Sequence, residues 1–270
     1  MIDMNVRFTD AYAPEEMLER VEAAGVRKAA APFAQLFTLA LLGGAFIAFG
    51  AMLYTVVVTD AQIGWGPMRL LGGVAFSLGL VLVLIGGAEL FTGNMLLVMA
   101  WADGRITLLA LLRNWTIVFF GNLVGAVATA VLVVLSNALG GAAGAVAETA
   151  VDIASSKLSL GFGEAVARGV LCNVLVCLAV WLSYATTNVA GRILAIMFPV
   201  AAFVALGLEH SVANMYFLPV AALAGAPIGP AEFIANLVPV TIGNVIGGGV
   251  LVALVYWLVY VKPRGGEAEP

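Results

Sequence analysis

The sequence predicts an all-α polytopic membrane protein of six spans, built as two inverted repeats of three, with the second and fifth spans interrupted. Three observations carry this expectation: composition, the lengths of the apolar segments, and an internal repeat. Of 270 residues, 63% are hydrophobic and 10% charged, with a mean hydropathy of +1.07. Average soluble domains carry roughly a quarter charged residues. A chain this poor in polar groups cannot cover a globule in water, so its solvent is itself apolar. The formal net charge of −4 argues against a nucleic-acid partner. Cys172 and Cys177 lie five apart inside one apolar run and point to different sides of a helix. Neither a disulfide nor a metal clip is implied, and no cofactor is expected.

In chain order, residues 1–33 read as a polar N-terminal region whose stretch from Pro14 to Lys28 is an amphipathic helix. Pro14 suits a first helical turn, Glu15 and Glu16 favour its positive end, and Met17, Leu18 and Val21 form a short apolar face. Charged residues crowd this stretch, so it does not read as a cleaved signal peptide. A bilayer core of about 30 Å takes roughly 20 helical residues. Six apolar segments qualify: residues 34–58, 70–101, 114–135, 165–184, 193–222 and 233–261. The second and fifth are overlong, the former holding only Glu89 and the latter only Glu209 and His210 among acids, bases and histidines. Each is too long for one span and too short for two, so each reads as a span interrupted in the membrane. Such a break is tolerated where the freed backbone is buried in protein or lines a cavity. Residues 262–270 read as a short polar tail.

Six spans put both ends on one side. That side collects Arg7, Arg20, Arg27, Lys28, Arg105, Arg113, Arg192, Lys262 and Arg264, against Arg69, Lys157 and Arg168 opposite, which predicts cytoplasmic termini. Trp101, Trp115, Trp181 and Trp257 then fall near the cytoplasmic interface as anchors.

The repeat is legible by eye. ELFTGN at 89–94 is echoed by EHSVAN at 209–214, and NWTIVFFGNLVGA from Asn114 by NLVPVTIGNVIGG from Asn236. The shared words are Glu-x4-Asn within the overlong segments and Asn-x6-Gly-Asn-x2-Gly in those that follow. Repeats of three spans, at 34–138 and 164–261, must insert with opposite orientation. This is the plan of many transporters, in which interrupted helices meet near the midplane and aim half-helix N-termini at an anion. Charges at the bilayer centre are costly and normally face a bundle interior or a water path. Glu89 and Glu209 read as structural, accepting hydrogen bonds from freed backbone N–H groups and from the Gly-Asn asparagines, with Asn94 and Asn214 anchoring the same breaks. His210, the one histidine of the chain, reads as functional, because imidazole changes charge near neutral pH.

These words, together with GGAFIAFG at 43–50, GGVAFSLGL at 72–80, GAELFTGN at 87–94, CNVLVCLAVWLSY at 172–184 and GLEHSVANM at 207–215, resemble the formate/nitrite transporter family over about residues 11–261. The resemblance implies an aquaporin-like six-helix fold, a homopentamer with one pore per protomer, and passage of small monovalent anions or their acids across the bacterial cytoplasmic (inner) membrane. By motif, His210 matches the family's central pore histidine and Thr92 the threonine on the broken segment of the second span. Asn173 and Asn244 match the asparagines that tie the breaks. Leu80, Leu90 and Phe203 match one apolar constriction, and Phe76 and Phe91 the other. Neither break carries Asn-Pro-Ala, which sets the chain apart from aquaporins proper. With Lys28, Lys157 and Lys262 all in tails or loops, no pore lysine is evident. The N-terminal helix either docks on the surface or gates the cytoplasmic mouth.

The expected function is a channel or secondary transporter for formate, with nitrite, then hydrosulfide or another small anion, as alternatives. Positive potential draws the anion into a vestibule, an apolar ring refuses a fully hydrated charge, and His210 supplies a proton or hydrogen bond. A membrane enzyme would need a nucleophile–base pair or metal cluster, and one histidine with two separated glutamates offers neither. A neutral-solute channel would not respond to pH as a weak-acid carrier does.

Overall fold

The computed structural model describes residues 11–261. The expected tail at 262–270 lies outside them, as do Arg7, Lys262 and Arg264 of the charge count. The described chain is helical, apart from one isolated antiparallel bridge between Ala11 and Thr186. Its helices are α1 (Pro14–Ala30), α2 (Phe33–Val58), α3 (Trp65–Gly86), α4 (Leu97–Ala102), α5 (Leu108–Leu135), α6 (Ala145–Leu158), α7 (Phe162–Ser183), α8 (Val189–Ala205), α9 (Ser211–Leu223), α10 (Pro230–Val245) and α11 (Val255–Tyr260). A 3₁₀ turn at Gly93–Leu96 leads into α4, and a π-helical stretch at Ile246–Leu254 joins α10 to α11.

Five helices are long and apolar enough to cross a membrane: α2, α3, α5, α7 and the continuous run Pro230–Tyr260. The fifth span is divided into α8 and α9, neither of that length. In the second segment the interruption falls later than a mid-span break would, after the 22 residues of α3. α5 begins six residues before the expected start. Arg113 is not a boundary but a residue of the helix, donating from Nη1 to the Ala31 carbonyl at 3.1 Å. The start is set by Thr107, whose Oγ1 accepts from Ala110 N.

Two features were not expected. Residues between the repeats form α6, which lies at the far end of α2 from α1, where Thr59 Oγ1 meets Thr149 Oγ1 at 3.1 Å. And Trp181 is buried, stacked on Tyr260 and edge-on to Tyr256, while Trp115 Nε1 donates to Asn94 O. These two indoles make contacts within the protein, Trp181 buried and Trp115 half-buried. Small residues bring the spans together: a methyl on Gly44 would collide with the Asn122 carbonyl, and one on Gly243 with the Val166 carbonyl. Such close backbone packing is how helices associate when lipid tails offer no hydrophobic drive.

Candidate functional site

Each break follows a helix that ends on a glycine in the left-handed region. α3 ends at Gly87 (φ +86), with Ala88 N bonded to Val83 O. α8 ends at Gly207 (φ +70), with Leu208 N bonded to Phe203 O and Gly207 N to Val204 O, the double closure of a Schellman motif. A side chain there would be strained, so glycine turns the chain out of its helix axis at both places.

The freed backbone is then caught by one asparagine per break. Asn122 accepts from Phe91 N at 2.9 Å and donates to Glu89 O and Ala40 O at 2.8 and 2.7 Å. Asn244 accepts from Ser211 N at 2.9 Å and donates to Glu209 O and Gly169 O, both at 2.9 Å. Every polar arm of each amide is therefore used, as burial demands. Glu89 N is bonded to Leu39 O and Glu209 N to Arg168 O, completing the frame.

The carboxylates turn to a second network. Asn94 Nδ2 donates to Glu89 Oε2 and Asn114 Oδ1, and Asn114 Nδ2 to the Lys28 carbonyl. Lys28 Nζ returns to Asn94 Oδ1 at 2.9 Å and Glu89 Oε2 at 3.2 Å. In the other repeat Asn214 Nδ2 donates to Glu209 Oε2 and Asn236 Oδ1, and Asn236 Nδ2 to the Lys157 carbonyl. There Lys157 Nζ reaches Glu209 Oε1 at 2.9 Å. This corrects two expectations. The carboxylates are satisfied by Asn94, Asn214 and lysines, while the Gly-Asn asparagines hold the glutamates' main chain. And the lysines of α1 and α6, although outside the spans, reach the breaks. Pairing explains why: an ionised carboxylate taken from water without a cation costs several kcal/mol.

The two breaks meet through one side-chain bond, Thr92 Oγ1 to His210 Nε2 at 2.8 Å, both residues being buried. His210 is the N-cap of α9, its Nδ1 accepting from Ala213 N at 3.0 Å. Because Nδ1 accepts, a neutral ring carries its proton on Nε2, where it points to the threonine oxygen. Asn173 Nδ2 donates to Thr92 O at 3.2 Å and Asn244 O at 2.7 Å, a cross-tie with room made by Gly248 in the π-helical stretch. π-Helical turns often occur where function needs an irregular register.

Phe203 lies nearly parallel to the His210 imidazole in an offset stack (5.9 Å, 16°) and takes Phe76 edge-on at 5.6 Å. A cavity of about 280 Å³ leads from α6 to this point, with Tyr54, Arg69, Lys157 and Phe217 also on its wall. Phe76 is thus in ring contact with Phe203, and Phe91 with Phe119 and Trp115. Leu80 and Leu90 are both buried.

The sequence matches the family described as formate/nitrite transporter over residues 15–258. The chain belongs to the formate/nitrite transporter family. Among relatives in this family, an uncharacterised transporter of Bacillus subtilis, YrhG, is 43% identical over 262 residues, covering 95% of this chain and 96% of that protein. The formate channel FocA of Escherichia coli K12 is 40% identical, covering 94% and 96%. A solved structure titled as a pentameric formate channel with formate bound matches at TM-score 0.79 and 40% identity, covering 85% of this chain and 98% of that one. A second, titled as an FNT family ion channel, matches at TM-score 0.81 and 29% identity, covering 90% and 98%. The protein is accordingly a multi-pass membrane protein whose relatives are transport proteins.

Sequence reasoning had placed the Gly-Asn asparagines, Asn122 among them, on the carboxylates, and had assigned Asn114, Asn236, Lys28, Lys157 and Arg69 no place here. The Asn-x6-Gly-Asn word, already seen as repeated, contained the signal for the three asparagines. The lysines carried none, since their equivalence needs the helices of α1 and α6 to be recognised as partners.

Proposed function

We propose that the protein is a formate channel of the bacterial inner membrane, a homopentamer with a pore through each protomer and both termini cytoplasmic. The pore domain spans residues 34–261. Transport, not catalysis, is the activity assigned. The observation that carries the reading is the buried Thr92–His210 bond, which joins the two breaks beside an aromatic cavity and presents a titratable donor there. The names of the 40%-identical relative and structure support formate over nitrite and hydrosulfide.

On this reading the proton handling runs through the His210 ring. An anion near Nε2 meets the imidazole N–H and the Thr92 hydroxyl, donors that partly replace lost water. A neutral ring cannot give up Nε2–H without becoming an anion itself. It must first take a proton at Nδ1, releasing Ala213 N–H. Transfer of the Nε2 proton to formate then leaves neutral imidazole and formic acid, which crosses apolar surroundings at little cost. Loss of the Nδ1 proton and return of one to Nε2 resets the cap. The anion favours the charged ring, so occupancy and proton uptake are linked, and flux rises as pH falls. Phe76, Leu80, Leu90, Phe91 and Phe203 are the apolar constrictions. Asn173 and Asn244 hold the breaks around Thr92 and His210, while Glu89, Glu209, Asn94 and Asn214 anchor them.

Purified protein in liposomes tests the substrate. Formate should enter faster than nitrite, hydrosulfide or lactate at matched gradients; faster nitrite would overturn the formate assignment.

A further inference from the structure

We propose that Arg69 is a specificity-determining positioning residue: its guanidinium sets the aperture at Phe203 by fixing the last turn of α8. The inference rests on the reading of Phe203 as a pore constriction and adds the element that holds it in place.

The last turn of a helix leaves carbonyls without intrahelical donors. In α8 that turn carries Phe203, and Gly207 and Leu208 close back on Val204 and Phe203. The Ala205 carbonyl is taken by Arg69 Nε at 3.0 Å, and Val204 O receives a second donor, Arg69 Nη2, at 2.7 Å. One planar fork from the start of α3 therefore grips two successive carbonyls just beyond Phe203. The remaining nitrogen, Nη1, reaches Tyr54 Oη at 3.4 Å. Tyr54 in turn presents its ring edge-on to Phe76 (6.5 Å) and Phe217 (6.0 Å), and Phe76 meets Phe203 at 5.6 Å. Arg69 thus touches both walls of the constriction, one through the backbone of α8 and one through Tyr54.

Its charge is not used as those of its neighbours are. Lys28, Arg105, Lys157 and Arg168 each pair with a carboxylate, whereas Arg69 forms no ion pair among the described residues. The fork is its contribution, and a lysine cannot reproduce it, having one point of charge where arginine has a rigid plane of donors. The other repeat supplies a contrast. There Arg192, near the start of α8, donates to Leu84 O at 3.3 Å, a single longer bond on a turn whose residue equivalent to Phe203 is Val83. The firmer grip is found where the bulky ring is.

The test compares wild type with Arg69→Lys, Phe203→Ala and the double variant in liposomes, reading the ratio of lactate to formate flux and the pH profile of formate flux. Arg69→Lys keeps the positive charge. It should raise the ratio by about 3-fold or more without moving the pH profile, and should add nothing in the Phe203→Ala background. An unchanged ratio, a shifted pH profile, or an effect fully additive with Phe203→Ala would overturn the proposal. Should Arg69→Lys not assemble, Tyr54→Phe removes one hydroxyl only. Its expected rise is about 2-fold, and an unchanged ratio again overturns the proposal. Wild-type vesicles that carry no formate would instead sink the transport reading, so the two failures are distinct.

Discussion

In the first break Asn122 holds Phe91 N, Ala40 O and Glu89 O; in the second Asn244 holds Ser211 N, Gly169 O and Glu209 O. The lysine–glutamate–asparagine networks behind them also correspond residue for residue, except that Lys28 reaches Asn94 as well and shares Glu89 Oε2 with it, whereas Lys157 takes the Glu209 oxygen that Asn214 leaves free. The contents do not correspond. Leu90, Phe91 and Thr92 of the first break stand where the second has His210, Ser211 and Val212, and Val83 stands where the second has Phe203. The duplicated part is the solution to a problem both breaks share, which is satisfying polar backbone away from water. The unduplicated part is the Thr92–His210 bond and the contact of Phe203 with His210 and Phe76, to which the proposed pore assigns its acid–base group, its hydroxyl and its aromatic wall.

The comparison breaks most visibly if the frames are not equivalent. Asn122→Leu and Asn244→Leu each strand three backbone groups at about 1–3 kcal/mol apiece. Either should abolish the stable oligomer on size-exclusion chromatography. Survival of one but not the other would show that the breaks are unequally held. Next come the carboxylates. Glu89→Leu and Glu209→Leu leave a lysine unpaired, a loss of about 3–5 kcal/mol for a buried pair. Glu→Gln at either site retains an acceptor for Asn94 or Asn214 and should melt between wild type and Leu. A stable Glu209→Leu oligomer with altered anion preference would contradict the structural role. A smaller effect is expected where the contents are exchanged: His210→Leu, copying Leu90, removes the α9 cap and should lower stability by about 0.5–2 kcal/mol while the oligomer persists. Similar in stability, and mainly an effect on selectivity, is Phe203→Val, which copies Val83. It should cost about 1–2 kcal/mol or less in stability while raising lactate leak in liposomes, and unchanged size selectivity would contradict the constriction.

The six-span plan was legible because a membrane interior enforces length and apolarity on the sequence, and the frame because Glu-x4-Asn and Gly-Asn are repeated words. α6 and the two lysines were not legible. α6 is a surface element of mixed composition, and Lys28 and Lys157 enter the breaks from outside the spans by the reach of their side chains. The offset between them, 129 residues, also differs from the 120 and 122 of the visible words, because α2 and α3 (26 and 22 residues) are longer than α7 and α8 (22 and 17 residues). The pairing of Phe76 with Phe203 depends on the crossing of α3 and α8, where Gly73 lies against the Ala201 carbonyl, and no local pattern encodes it.

If the second break, and not the first, handles the proton, His210 sets the pH response of the flux. Formate flux into liposomes between about pH 5 and 8, normalised for the leak of formic acid through lipid, tests it with wild type, His210→Asn and Thr92→Val. Wild-type flux should rise as pH falls. His210→Asn should lose that dependence while still conducting, and Thr92→Val, which removes the oxygen bonded to Nε2, should shift the profile without abolishing it. Identical profiles for wild type and His210→Asn would contradict the account.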